Sequence, residues 1–562
     1  MITRKWHFLA ALVVGSMLLA ACAAPAVQTV VVTLPAEVQI VEVTATPGPP
    51  TLGAGCTYNA YRLGWVMDYA DANNIVNEVF HPDSPFQYSF WDDATFRDLV
   101  DQALVETDPE ARAALWQQAE DILVTDYAAV IPLFHYDRTG LVRPEIEYEY
   151  PPFGQAHYMR WRLPAGQTTL RVQLGTEPPT LDINLATDTT SHAVLNQLME
   201  GPYRYTGAGT IEPAGALSYE VSADGLVYTI HLREDGAWWD GQPVTAQHYV
   251  DGVIRLLKPE TGAEYAYVMY YISGAEAFNT GETDDPSTVG IRVVDDYTLE
   301  VTLDEPQAFF DSILAFFTFY PVRLDVIEQY GDEWTEPGNF VGNGPFVLTE
   351  WAHEDHLVIT KNPAYHGADE VTIERVEYPI IVEDATALAA YERGELDVSG
   401  YPAEDLPRIL EEMPGDFVRL PYPGVYYLGM NTLRPPTDNL NFRMALASAI
   451  DKRAILDAVL NMPWRIEAYG VIAPEIMGYQ GDAVGYGLDL EAAQGYLQAA
   501  LAEMGIEDPA ELSVNLWYNR GGANDDIIEA VAEQWETNLG ITVNVVRSEW
   551  GAYLETLDEC HP

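Results

Sequence analysis

From residue 57 onward, apolar and polar positions recur at spacings that name the elements. Tyr61 to Val66 reads as a short strand, runs into a polar turn, and is followed by an apolar helical piece from Ile75 to Phe80. Phe96 to Leu104 and Pro109 to Val124 carry apolar residues at helical spacing, and Asp108-Pro109 supplies a cap followed by a first-turn proline. Ala128 to Phe134 is a buried-strand run. Gly140 to Arg143 continues as a strand beyond a turn, and Pro164-Ala165-Gly166-Gln167 is a turn-like break.

A second series starts at Thr168. Leu170 to Leu174 is a strand, and Leu217 to Asp240 alternates with period two on both sides of a turn. Thr245 suits the N-cap of a helix running through Leu257, and Val293 to Pro306 reads as a hairpin. Gly342-Asn-Gly-Pro-Phe opens another strand. Ser513 to Trp517 and Ile541 to Val546 are strands flanking the helix Asp526 to Glu536. A last helix begins at Glu549.

The chain's first segment has a different pattern. Arg4 and Lys5 precede an apolar stretch, Phe8 to Leu19, too short to span a bilayer comfortably, and Leu19-Ala20-Ala21-Cys22 resembles a bacterial lipobox. The expectation is a leader over residues 1 to 22 with Cys22 lipidated, and multiple acyl chains make such an anchor stable. An unmodified cysteine after a signal peptide is the alternative. Residues 23 to 54, rich in Ala, Pro, Val and Thr, are expected to be a flexible tether, although the Val-Val-Val run has the composition of a stray strand.

Charge narrows the partners. The chain carries 28 basic and 86 acidic residues, a formal net charge of −58, and only four of the basic residues are lysine. Such a field repels polyanions, so nucleic acid is excluded as a partner. At 562 residues and 48% hydrophobic, two or three domains are expected.

Candidate chemistry centres on Asp68, which stands at a strand end between Trp65 and Tyr69. A carboxylate between aromatic faces sits in a low local dielectric, where a charge-assisted bond to an ammonium is strong. The alternative is that Asp68 only caps the helix that follows, with Asp71 as the rival cap.

Arg62-Leu-Gly-Trp-Val-Met-Asp-Tyr69 with its Asn-rich turn resembles the ligand-facing segment of the oligopeptide-binding proteins, the solute receptors of ABC importers. Further runs resemble the same family: Gly175-Thr-Glu-Pro-Pro-Thr-Leu-Asp182, Asp240-Gly-Gln-Pro-Val-Thr245, Met430-Asn-Thr432 and Ala449-Ile-Asp-Lys-Arg453. The resemblance implies an α/β, two-lobed periplasmic-binding-protein fold of type II, peptide-binding class, with an extra lobe. It implies no enzyme and no cofactor. The partners it implies are an oligopeptide ligand and permease subunits, for a monomer anchored outside the cytoplasm.

In that family the first of these segments lies near the C-terminal end, whereas here it follows the leader. Residues 168 to 562 resemble the family from its first strand to just short of that segment, and residues 57 to 164 supply the remainder. The resemblance thus implies a circular permutant, with the usual ends joined near residues 164 to 168 and new ends at Cys56 and Cys560, which would be stapled by a disulfide. The implied lobes are residues 135–190 with 310–424 (I), 191–309 (II), and 55–134 with 425–562 (III). Hinges are expected near Phe134 to Tyr136 and Leu420 to Val425.

By the same resemblance Asp68 grips the peptide's α-ammonium and Arg62 is available to a carboxylate. Trp65 and Trp550 form pocket walls, Tyr69, Tyr270 and Tyr426 line the pocket, Glu177 makes a polar contact, and Asn524 replaces a basic side chain. Core packing is the alternative for each aromatic. Rival functions are a receptor for oligosaccharide, nickel chelate or haem, and a secreted hydrolase. No Gly-x-Ser-x-Gly, His-Glu-x-x-His, phosphate loop or CxxC supports the hydrolase, and His353 and His356 are not expected to hold metal.

Overall fold

The structure is a computed structural model that describes residues 27–31, 40–44, 56–521, 523–548 and 550–560. The leader, Cys22 and most of the tether lie outside the described residues. Two compact units are present: residues 1–56 with 559–562, and residues 57–558. In the first, the expected tether contains two short strands, Val27–Val31 and Ile40–Thr44, paired antiparallel. Cys56 and Cys560, both of this unit, are buried.

The larger unit is organised on a six-stranded sheet, which among its described residues runs Val398–Ser399, Val130–Val142, Phe417–Met430, Ala60–Val66, Ser513–Asn519, Thr542–Ser548. The early strand Ala60–Val66 lies inside this sheet, antiparallel to Phe417–Met430 and parallel to Ser513–Asn519. Residues distant in sequence therefore share one core. Ala60, Ile131, Leu133 and Phe134 pack in the same buried cluster as Leu516, Ile528 and Trp535. Residues 57–164 do not stand apart.

Close strand approach explains Gly64. A Cβ there would stand 2.0 Å from the Tyr136 hydroxyl, so no other residue fits without moving that ring.

Val130–Val142 is one continuous strand, where the sequence suggested two runs about a turn. The stretch Asp137 to Leu141 pairs with Phe417–Pro421 instead of turning, and the register shifts between Pro421 and Val425, which pairs with His135. These two long strands pass through both expected hinge positions.

A four-stranded sheet joins Phe346–Ala352, His356–Lys361, Arg375–Pro379 and Thr169–Arg171, the last pair parallel. Another, Ile291–Asp295, Thr298–Thr302, Val227–Leu232, Ala216–Val221, is antiparallel throughout. Helix signals held where caps were strong. Asp108 accepts from the Ala111 N–H, and Thr245 forms a reciprocal capping box with His248 at the start of Ala246–Leu257. In place of the expected helix from Ile75 to Phe80 there is a short one, Asn73–Val76, whose asparagine side chains bond outside it, Asn74 with Trp65 and Asn73 with Tyr271.

Candidate ligand-binding site

A cavity of about 190 Å³ opens in the larger unit, lined by residues from eight separated stretches of chain. Met67 and Asp68 follow the central strand, Arg138 and Tyr422 come from the two long strands, and His192 and Asn196 from the helix Thr189–Leu198. Tyr265, Phe316, Phe317 and Tyr320 close it with aromatic surface. Few polar groups converging on apolar walls is the usual character of a small-ligand site.

Asp68 is half-buried on this wall. Its Oδ2 accepts from Asn74 Nδ2 at 3.2 Å and its Oδ1 from the Tyr265 hydroxyl at 3.3 Å. Both donors are neutral, and among the described residues no Lys or Arg forms an ion pair with Asp68. Burial raises its carboxyl to about 6, against the pull of those two hydrogen bonds.

The Asn74 amide organises this end of the cavity. Its Oδ1 accepts from the Asp68 N–H and from Trp65 Nε1, each at 2.9 Å, while its Nδ2 also donates to Glu78 Oε2 at 2.7 Å. Glu78 Oε1 accepts from Tyr69 at 2.5 Å and Tyr271 at 2.9 Å. Burial pushes Glu78 up to about 7, and the neighbouring charge of Asp68 raises it further against the hydroxyl bonds. Two adjacent carboxyls without a cation make this wall strongly attractive to a positive group.

The capping alternative for Asp68 fails, since its side chain takes no helix N–H. Asp71 does that instead, accepting the Asn73 N–H at 2.9 Å.

The other anticipated residues divide between supporting roles and distance from the cavity. Trp65 and Tyr69 brace the turn through Asn74 and Glu78 and are not in the lining. Arg62 lies 4.1 Å over the Tyr426 ring, donates to Asn519 Oδ1 at 3.0 Å and to the Tyr136 hydroxyl at 3.3 Å, and also stands outside the lining. Tyr426 in turn donates to Asn524 Oδ1 at 3.2 Å, so Tyr426 and Asn524 form a buried group beneath Arg62.

Tyr270 donates to Asn279 at 2.6 Å, away from the acidic wall; Tyr265 and Tyr271 of the same aromatic run reach Asp68 and Glu78. Glu177 accepts from Trp351 Nε1 at 2.7 Å, pairs with His353 at 2.8 Å and accepts the Glu354 N–H at 2.9 Å, fastening the first turn to a hairpin. Trp550 is 48% exposed and packs on Tyr553 at 6.2 Å.

Sequence reasoning missed Arg138, Tyr422 and the Phe316-Phe317 wall. Arg138 sits in a stretch read as a turn, and nothing local in the sequence says that Tyr150 and Tyr422 will stand against it.

A bilobal solute receptor is the class that this sheet arrangement and half-closed cavity define, and the profile of the bacterial extracellular solute-binding proteins, family 5 (middle region), matches residues 210–560. The chain belongs to that family. It is 35% identical over 403 residues to the oligopeptide-binding protein OppA of Bacillus subtilis, covering 70% of this chain and 73% of the relative. It is 32% identical over 396 residues to the probable deoxycholate-binding periplasmic protein YgiS of Escherichia coli, covering 70% and 73%. Among solved structures, the Haemophilus influenzae OppA complex with RPPGFSPFR superposes with a TM-score of 0.55 at 26% identity, over 70% of this chain and 77% of that one.

Proposed function

We propose that this protein captures short peptides through their free amino terminus and delivers them to the permease of an ABC importer. The carrying observation is Asp68, a carboxylate on the cavity wall whose partners are all neutral. A peptide ammonium supplies the missing charge, and main-chain hydrogen bonds with roomy side-chain space account for tolerance of sequence. Contact with elements on both sides of the cavity favours the closed state. A sugar brings no cation to pair with Asp68. The protein is held to the membrane by a lipid on Cys22.

Mass spectrometry of ligand released from the purified protein tests this reading. Peptides with unblocked amino termini are expected, and a bile acid, sugar or blocked peptide as sole ligand would overturn it.

The pH dependence has a defined sign. In the unliganded cavity Asp68 holds its proton below about pH 6 and loses it when an ammonium arrives. Affinity is therefore full above that pH and falls as pH drops through it, approaching tenfold per unit. Glu78, rising to about 7, acts in the same direction, while His192, lowered to about 4 by burial, stays neutral across the window and Arg138 stays positive. Calorimetry with a tripeptide between pH 8 and 4.5 checks this, and a flat profile for wild type would refute charge pairing at Asp68.

We also propose that the chain is a circular permutant of its family. In support, the linear matches leave similar shares of this chain and of the relative unaligned, and the early strand fills a central place in the sheet. A disulfide between Cys56 and Cys560 would staple the new ends, with an upper bound of roughly 6 kcal/mol from loop closure. Protein beginning after Cys22 is expected to show no reactive thiol when denatured without reductant and two after reduction; two thiols before reduction would remove the disulfide.

A further inference from the structure

We infer that Glu78 and Tyr271 are positioning residues of the ammonium site: neither lines the cavity, and together they fix the Asn74 amide with its NH2 group turned to Asp68. This rests on the peptide reading above and assigns the machinery that holds its anchoring acid.

An asparagine amide has two orientations, and the four partners of Asn74 agree on one. Its Oδ1 faces two groups that can only donate, the Asp68 main-chain N–H and Trp65 Nε1, each at 2.9 Å. Its Nδ2 faces Asp68 Oδ2 at 3.2 Å and Glu78 Oε2 at 2.7 Å. A reversed amide would set its oxygen against two carboxylates and its N–H groups against two donors. Of the two bonds on the nitrogen side, the one to Glu78 is the shorter. Glu78 therefore holds the amide, and Asp68 receives its second hydrogen.

Glu78 can do this only as an acceptor, and the groups around it keep it one. Asn77 Nδ2 donates to Asn73 Oδ1 at 3.0 Å, and Asn73 Nδ2 donates to the Tyr69 hydroxyl at 2.6 Å and to the Tyr271 hydroxyl at 2.9 Å. Each hydroxyl then directs its single proton to Glu78 Oε1, at 2.5 Å from Tyr69 and 2.9 Å from Tyr271. The donors run in one direction and end on Glu78. A glutamine has the same shape, yet one of its two ends is a donor, which meets either the hydroxyl protons or the Asn74 N–H.

Tyr271 reaches Glu78 from 193 positions away in sequence. Its ring meets Phe309 edge-on with centroids 5.0 Å apart, and Phe309 stacks on Tyr69 at 5.4 Å, so the hydroxyl is held by packing. Tyr265 of the same aromatic run donates to Asp68 Oδ1. One tyrosine thus stands on each acid: Tyr265 on the one that faces the cavity, Tyr271 on the one that orients it.

The test is calorimetry at pH 8, where both acids are ionised, with trialanine and its N-acetyl derivative, read as the ratio of the two affinities. The proteins are wild type, Glu78→Gln, Tyr271→Phe, Asn74→Ala and the double variant Asn74→Ala with Glu78→Gln. Wild type is expected to prefer the free amine. Glu78→Gln is expected to reduce that preference roughly tenfold, the lower end for a hydrogen bond to a charged group, and Tyr271→Phe, which keeps the Glu78 charge, roughly three- to tenfold. A positioning residue has nothing to position once the amide is gone. The double variant is therefore expected to match Asn74→Ala within about twofold.

A further tenfold loss in the double variant overturns the positioning role and makes Glu78 a second charge acting on the ammonium directly. An unchanged ratio in Glu78→Gln or in Tyr271→Phe overturns the role of that residue and leaves the peptide reading standing. Wild type that binds trialanine no better than the acetylated form overturns both. Tyr271→Phe keeps the ring and its packing on Phe309, so it decides the matter even where Glu78→Gln does not fold.

Discussion

Asp68→Ala is expected to weaken binding of a short, amino-free peptide by about 2–5 kcal/mol, roughly thirty- to several-thousand-fold. The loss is large because the variant leaves an ammonium in a half-closed, aromatic-walled cavity with only the Tyr265 hydroxyl and the more distant Glu78 to face it. Asp68→Asn separates charge from hydrogen bonding. Its amide still has an oxygen for Asn74 or Tyr265, so a loss as large as that of alanine assigns the effect to charge. An N-acetylated peptide, which brings no cation, is expected to bind both variants as it binds wild type. Stability should not fall with affinity: a carboxyl raised to about 6 disfavours the ionised folded protein at pH 8, so Asp68→Asn is expected to hold or raise the melting temperature there. Isothermal titration on folded variants measures this, and unchanged affinity for trialanine in Asp68→Ala would discard the anchor.

What could be read beforehand followed from how local each signal was. Asp68 was legible because its neighbours in sequence, Trp65, Tyr69 and Asn74, are also its neighbours in space. The Asp108 cap and the Thr245 box were legible for the same reason, since each is closed by residues three positions apart. The long strand Val130–Val142 was misread because its polar half is satisfied by a partner about 280 positions away in sequence, at Phe417–Pro421. Tyr270 was expected in the pocket by resemblance, and Tyr265, one of four tyrosines within eight residues, has nothing in its local sequence to set it apart. Only the turn geometry of Glu264–Met269 decides which of them reaches the acid. Arg62 and Arg138 invert the same lesson. Among the described residues neither pairs with a carboxylate, yet Arg62 is enclosed by Tyr426, Tyr136 and Asn519, and of the two only Arg138 opens on the cavity.

The wall that carries Asp68 depends in turn on a buried ion pair behind it, and breaking that pair is expected to have a large effect on stability. Arg112 forms a two-pronged bond to Asp71, with Nη2 to Oδ1 at 2.7 Å, and its Nε donates to the Ala103 carbonyl at 2.8 Å. The side chains are 6% and 11% exposed. Asp71 Oδ1 also holds the Asn73 N–H, so the pair pins the turn from residue 68 to 74 against the helix Pro109–Glu120. Arg112→Met is expected to cost about 3–5 kcal/mol, because it leaves an uncompensated charge where water does not reach. Asp71→Asn added to it should recover most of that loss: the amide oxygen still takes the Asn73 N–H, and no bare carboxylate remains. Peptide affinity should follow the same course, reduced in the single variant and regained in the double, since what is lost is the position of Asn74 and not the Asp68 charge. Denaturant titrations of the two variants, followed by calorimetry at a pH above 7, distinguish this from a simple loss of packing, in which the double variant would be no more stable than the single one.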